Sequence, residues 1–428
     1  MRLLVLSPDF ASHWTPVSVV AGIARDAGHE VVVATGPTLR SRVESAGFAW
    51  RHLRLGRDAN DGVAIGRDAA EATAIARFVA ATRVGAIATL ALQADERLTD
   101  LLFEPERVVT DVGRLVDDIE PDRLVVDHVS FNSTPAAIGT GRPFTTVVPG
   151  HPSQLPVGDE RYGLPVSWPT AVAPRPDELD DLRRRCDRVA ERFTERWNRA
   201  RRATDPGADA VDDAFVVTGD RVVLHWSAEH HGPNRTALLP PGTTFAGPLT
   251  RTEALVGAPG GPTDGRPLVY VALGTFLSHR GDVLARLAEA LRKLDVRVAM
   301  ATGATPTDRI GPVPEHWWVA ERLPQVALLS HASVAVSHGG NNSVQEALAA
   351  GVDQVLLPFS TDQFAIAADL ERAGVAGVAD PNRATAHDLA TEIADRLERP
   401  RQAPATTDVG AVLAAVTGGA AGPARPSR

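Results

Sequence analysis

Lysine occurs once in the 428 residues, at Lys293, and cysteine once, at Cys186. A single thiol excludes an intrachain disulfide and a cysteine-built metal site, and it fits a reducing compartment. Basic charge is therefore carried by arginine, and it is outweighed: 44 basic against 53 acidic residues leave a net charge of −9. An acidic chain is a poor match for nucleic acid or for an anionic membrane surface. Long apolar runs are missing too. The most apolar stretch, near Phe78 to Leu92, is interrupted by Arg83 and is too short to span a bilayer, so stable membrane insertion is not expected. The opening MRLLVLSPDF lacks the basic, apolar and small-residue order of a signal peptide, and the cytoplasm is the expected location. The glycine fingerprint of a dinucleotide site is absent after the first strand. The doublet His230-His231 comes without carboxylate or cysteine spacing, and no metal site is expected from it.

What is present is ordinary globular composition, 44% hydrophobic and 23% charged, over a length that suits two domains, each with its own core. The predicted organisation is a first domain over 1–239, a linker over 240–265 rich in Pro, Gly and Thr, a second domain over 266–400, and a C-terminal segment over 401–428 with a disordered tail from Gly418. Both domains read as α/β. Short apolar strands, such as Leu3 to Leu6 and Leu268 to Leu273, are followed by helical periods, predicted over about Pro16 to Ala27 and Asp282 to Lys293. Leu179 to Arg202 is predicted as a helix whose alternating charges form a solvated face.

The most informative stretch is SVAVSHGGNNSVQEALAAGVDQVLLPFSTDQ, from Ser333 to Gln363. It reads as strand, glycine turn, helix and strand. Gly339 and Gly340 let the backbone turn tightly, and the following helix start presents free N–H groups and the positive end of its dipole. That arrangement suits a phosphate, with His338 as a further donor. In the first domain, His13 follows the first strand and Asp127 ends the buried strand of PDRLVVD. A histidine base needs a partner that fixes its tautomer and supports the imidazolium, and a strand-end aspartate can serve. His128, next to it, is expected at a site wall or in solvent.

The string HGG-x-x-S-x-x-E, with Asp362-Gln363 sixteen residues beyond Glu346, resembles the donor-binding signature of the family 1 glycosyltransferases. These are inverting enzymes of GT-B fold, two Rossmann-like domains facing across a cleft. The resemblance is strongest to the bacterial branch acting on antibiotics and other natural products. It implies His13 as general base and Asp127 as its orienting carboxylate. Thr275, His338, Gly339, Gly340, Asn342 and Ser343 would hold the donor diphosphate. Arg322, Leu323 and Glu346 would hold the nucleoside, with Arg322 standing where the family has a base-stacking tryptophan. Asp362 and Gln363 would hold hydroxyls of the transferred sugar. Phe10, Trp14, Phe131 and Trp168 are candidates for contact with a hydrophobic small-molecule acceptor, with packing in the core as the alternative for each. The resemblance further implies a nucleotide-sugar donor, first among them a dTDP-linked deoxysugar, and no cofactor or metal. Ser12 replaces the glycine that usually precedes the histidine, and the family's closing helix is expected to be short or interrupted. Rival readings are a sugar-nucleotide epimerase of the same build, a lipid-linked-sugar transferase, and a non-catalytic binding protein. A homodimer is an open alternative to a monomer.

Overall fold

The computed structural model describes residues 1–56, 69–253 and 265–419. The expected tail beyond 419 and the middle of the predicted linker, 254–264, lie outside the described residues. Two parallel sheets carry the chain. The first is seven-stranded, in the order β3-β2-β1-β4-β5-β6-β7. Its strands are β1 (Arg2–Leu6), β2 (Glu30–Thr35), β3 (Ala49–His52), β4 (Arg123–Asp127), β5 (Phe144–Val148), β6 (Arg221–Leu224) and β7 (Thr243–Phe245). The second is six-stranded, in the order β10-β9-β8-β11-β12-β13. It comprises β8 (Leu268–Ala272), β9 (Arg297–Ala301), β10 (Trp318–Ala320), β11 (Val334–Ser337), β12 (Asp353–Leu356) and β13 (Ala376–Val378). Helices cover both faces, so the central strands are apolar on both sides; in β4 and β5 every residue is buried.

In both sheets the order reverses beside the first strand of the domain. There β1 pairs with β2 on one side and β4 on the other, and β8 pairs with β9 and β11. Such switch points open a crevice at the carboxyl ends of the strands, which is where α/β proteins bind ligands. The parallel register aligns Leu6 with Val126 and Ser337 with Ala272. The residues that follow these strand ends, His13 and Asp127 in one domain and His338 and Thr275 in the other, therefore lie at the switch points.

Three local expectations are corrected and a fourth is made specific. The first helix spans Ala11–Asp26, five residues earlier than Pro16 suggests, so His13 sits in its first turn and not in a loop. Proline inside a helix leaves the carbonyl four residues back without its N–H, and here that carbonyl, Ser12 O, accepts from Asn342 Nδ2 at 2.7 Å. The long helix Pro176–Thr204 is not only a solvated surface: Leu182, Cys186, Phe193, Trp197 and Ala200 form a buried stripe at helical spacing beneath the charges. The predicted linker begins later than Pro240, because Thr243–Phe245 pairs with β6 as the seventh strand. The closing helix is short, as expected, and uninterrupted, at Val409–Thr417. It returns to the first domain, where Val412, Ala415 and Val416 join the core around β1 and Thr145 Oγ1 donates to Ala415 O at 2.8 Å. Gly247, at φ 71°, marks that crossing: a Cβ there would lie 2.3 Å from Thr406 O.

Candidate active site

His13 Nδ1 lies 3.0 Å from Asp127 Oδ2 and 3.3 Å from Oδ1. A carboxylate only accepts, so Nδ1 carries the proton and Nε2 is left as the basic nitrogen. Asp127 is fully buried and its Oδ1 also accepts from Val129 N at 3.0 Å. Two donors thus hold the carboxylate in place. Burial works against a charged imidazole at His13, but the Asp127 charge and hydrogen bond overcome it and Asp362 adds to them, so the imidazole titrates above its ordinary 6.5. The adjacent His128 is neither solvated nor free: it is buried, its Nε2 meets Gln154 O at 2.8 Å, and burial pushes its pKa down.

His338 has the opposite environment. Burial alone drives its pKa down to about 4, and its Nδ1 is a buried atom without a hydrogen-bond partner. Two glycines make room for the ring. A Cβ on Gly274, which has φ 72°, would fall 2.7 Å from His338 Cε1, and one on Gly340 would fall 2.3 Å from Nε2. Gly340 also caps the helix Asn341–Ala349 with extended backbone. The helix therefore starts just after His338, and Thr275 follows Gly274 on the turn Gly274–Leu277.

This helix start is tied to the first domain by its two asparagines. Asn341 Nδ2 donates to Pro149 O at 2.9 Å and His225 O at 3.1 Å, while Asn342 Nδ2 takes the Ser12 carbonyl beside His13. Asp362 makes a second bridge: its Oδ2 accepts from His151 N at 2.8 Å and from Gln154 Nε2 at 3.1 Å. Gln363 differs from expectation. Its Oε1 accepts from Phe359 N and Ser360 N, and its Nε2 donates to Ser360 Oγ, so the amide is committed to its own loop and braces Asp362.

At the nucleoside end, Glu346 is almost wholly buried, with a side chain 2% exposed. Its Oε2 accepts from Gln325 Nε2 at 2.5 Å, and its Oε1 lies 3.2 Å from Arg251 Nε. Burial raises the carboxyl pKa against the opposing pull of Arg251 and Gln325. Gln325 also reaches Ser343 Oγ at 3.2 Å, and Glu253 accepts from Val326 N at 3.0 Å. Arg251, Glu253 and Gln325 were not singled out from the sequence. Gln325 had a local signal, since it opens a helix after Pro324; Arg251 had none. Leu323 is half-buried beside them. Arg322 is exposed and only grazes Glu321, at 3.9 Å.

The aromatic candidates divide. Phe10 caps the first helix 5.8 Å from the His13 ring, and Trp168 packs on Phe364 at 4.7 Å, against the helix that follows Asp362. For Trp14 and Phe131 the core reading holds. Trp14 lies on the sheet-facing side of its helix, edge-on to Phe48 at 6.0 Å. Phe131 is 1% exposed and ringed by His128, Tyr162, Phe193 and Phe215. Tyr162, not anticipated, stacks flat on Phe215 at 4.3 Å and feels the charges of both Asp127 and Asp362.

Among the described residues one group has the proximity a metal ion needs: His151, His231 and Asp369, all buried, with ligand atoms within 4.8 Å of one another. Its hydrogen bonds have another logic. His151 Nδ1 accepts from Ser153 N at 3.1 Å, so Nε2 carries the proton toward Asp369 Oδ2 at 3.2 Å. His231 Nε2 faces the Arg235 guanidinium at 3.3 Å, which leaves its Nδ1–H toward the same oxygen at 3.7 Å. Metal-bound histidines donate their second nitrogen to an acceptor, whereas here each faces an N–H donor. The cluster clasps the helix Gln363–Arg372 to the first domain.

Residues 251–401 match the family model described as UDP-glucoronosyl and UDP-glucosyl transferase. Over 416 residues the chain is 27% identical to 4′-demethylrebeccamycin synthase of Lentzea aerocolonigenes, covering 94% of this chain and 92% of that one. It is 35% identical to demethyllactenocin mycarosyltransferase of Streptomyces fradiae over 115 residues, 27% and 25% of the two chains. The glycotransferase of kitacinnamycin superposes with TM-score 0.68 at 19% identity, over 97% of this chain and 93% of that one. Glycosyltransferase VinC, solved with dTDP, superposes with TM-score 0.64 at 18% identity, over 98% and 94%. With a family match on the second domain, a relative similar over nearly the whole chain and solved glycosyltransferases that share both sheets, the chain is a glycosyltransferase of GT-B fold that resembles the family 1 enzymes.

Proposed function

We propose that this enzyme transfers a deoxysugar from a dTDP-linked donor to a hydroxyl of a hydrophobic natural product, with inversion. The observation that carries the reading is the junction of the two domains. The His13–Asp127 pair of the first touches, through Ser12 and Asn342, the helix start of the second that the signature assigns to diphosphate. The dTDP in the VinC structure and the antibiotic-forming relatives support the donor and acceptor classes.

The mechanism follows from the charges. His13 Nε2 takes the acceptor hydroxyl's proton while Asp127 stabilises the imidazolium that forms. The acceptor oxygen forms its bond to the anomeric carbon from one face as the bond to the phosphate oxygen breaks on the other, and the diphosphate leaves with the electron pair. Neutral His338, the first N–H groups of the helix and the Thr275 turn stabilise that departing charge, without a metal ion. Asp362 holds sugar hydroxyls and Glu346 the nucleoside. Phe10, beside the His13 ring, and Trp168, packed against the helix that follows Asp362, contact the acceptor.

Incubation with a panel of dTDP- and UDP-sugars and candidate aglycones, with and without EDTA, tests this. A β-linked product from an α-linked donor, insensitive to chelation, is expected. An epimerised donor, or nucleotide binding without turnover, would replace the reading with a rival.

A further inference from the structure

The nucleoside end of the cleft holds a feature that the general reading does not use. The Glu346 side chain is only 2% exposed, and its Oε1 is met by Arg251, a residue of the segment joining the two domains whose own side chain is 49% exposed. Both carboxylate oxygens are engaged, Oε2 by Gln325 and Oε1 by Arg251. The covering segment is fastened in place, since Glu253, two residues on, accepts the backbone N–H of Val326 at the start of the Gln325 helix.

A vicinal diol binds a carboxylate best with one hydroxyl on each oxygen, the same two-point geometry that a guanidinium fork uses. A carboxylate has two lone pairs on each oxygen, and at Glu346 one on each is taken, by Gln325 on Oε2 and by the Arg251 guanidinium on Oε1, so the cation competes with the second hydroxyl of a diol while Oε2 keeps a lone pair for the first. Building on the dTDP-donor reading above, we propose that Arg251 is a specificity-determining residue that makes the enzyme select a 2′-deoxyribose nucleotide over a ribose one. With Arg251 in place the single 3′-hydroxyl of a deoxynucleoside takes the remaining lone pair of Oε2, and a 2′-hydroxyl has to compete with the guanidinium at Oε1. A site that rejects a group in this way gains specificity from competition as well as from attraction.

Titration calorimetry of the full chain with UDP, 2′-deoxyUDP and dTDP tests this directly. The first two differ only at the 2′ position, which separates the sugar from the methyl group of thymine. The wild-type enzyme is expected to bind 2′-deoxyUDP at least about tenfold more tightly than UDP. In Arg251→Ala and Arg251→Gln the ratio should fall to within about twofold, chiefly because UDP binds more tightly. Equal strengthening of all three nucleotides in the variants would show Arg251 to be a displaceable lid, and a wild-type ratio near one would show no selection; either result overturns the proposal. Failure of the wild-type enzyme to bind any of the three would instead remove the donor reading itself.

Discussion

The two histidines that face the cleft differ in everything but residue type. His13 is held by a buried aspartate and titrates above 6.5, whereas His338 has no bonded partner on Nδ1 and is pushed down to about 4. One is therefore built to gain a proton, the other to stay neutral and offer an N–H. The difference comes from packing: β4 ends in a carboxylate beside His13, while two glycines enclose His338 with backbone and no counter-charge. A side chain's chemistry at neutral pH is set by which neighbour the fold supplies.

The largest test of this contrast is His13→Ala, which should lower kcat by about 10⁴-fold while dTDP binding, read by calorimetry, changes less than about twofold. Retained turnover would remove the base from the first domain. Next, Asp127→Asn should cost about 10³-fold and move the pH profile. The rate requires neutral His13, so kcat/KM in the wild-type enzyme rises with pH through a value above 6.5; without the carboxylate that limb should shift to lower pH. A limb that stayed put would mean that Asp127 does not set the imidazole's proton affinity. His338→Ala should reduce kcat by about 10²-fold and leave the limb in place, because a ring neutral down to about 4 has no proton to lose there. A shifted limb would show that the two histidines titrate together. The smallest effect is expected from Asn342→Ala, which removes one 2.7 Å bond between the domains and should lower kcat by about threefold to tenfold with little change in melting temperature. Unchanged kinetics would show that the Ser12 carbonyl does not help to hold the two halves in register.

The distribution of what could be read beforehand follows the range of the interactions. Strand ends, the glycine turn and the helix start are local, and HGG-x-x-S-x-x-E carries them within nine residues. Trp14 and Phe131 stayed open between pocket and core because an aromatic in an apolar context looks the same in either; only the partners, Phe48 for one and the rings of Phe193 and Phe215 for the other, decide. Gln363 matched its motif by position, yet its amide turned inward to two backbone N–H groups three and four residues behind it. The His151–His231–Asp369 clasp joins positions up to 218 residues apart and had no sequence signal at all.

Residue order alone determined that the chain folds as two α/β units with an anion-binding turn in the second, since periodicity, glycine placement and helix-start residues act within one supersecondary unit. Only the tertiary structure decided which histidine is basic, which carboxylates are already engaged, and that Arg251 stands over Glu346. Those outcomes depend on desolvation and on partners brought together across the sheets and the cleft, and neither is encoded by neighbours in the chain.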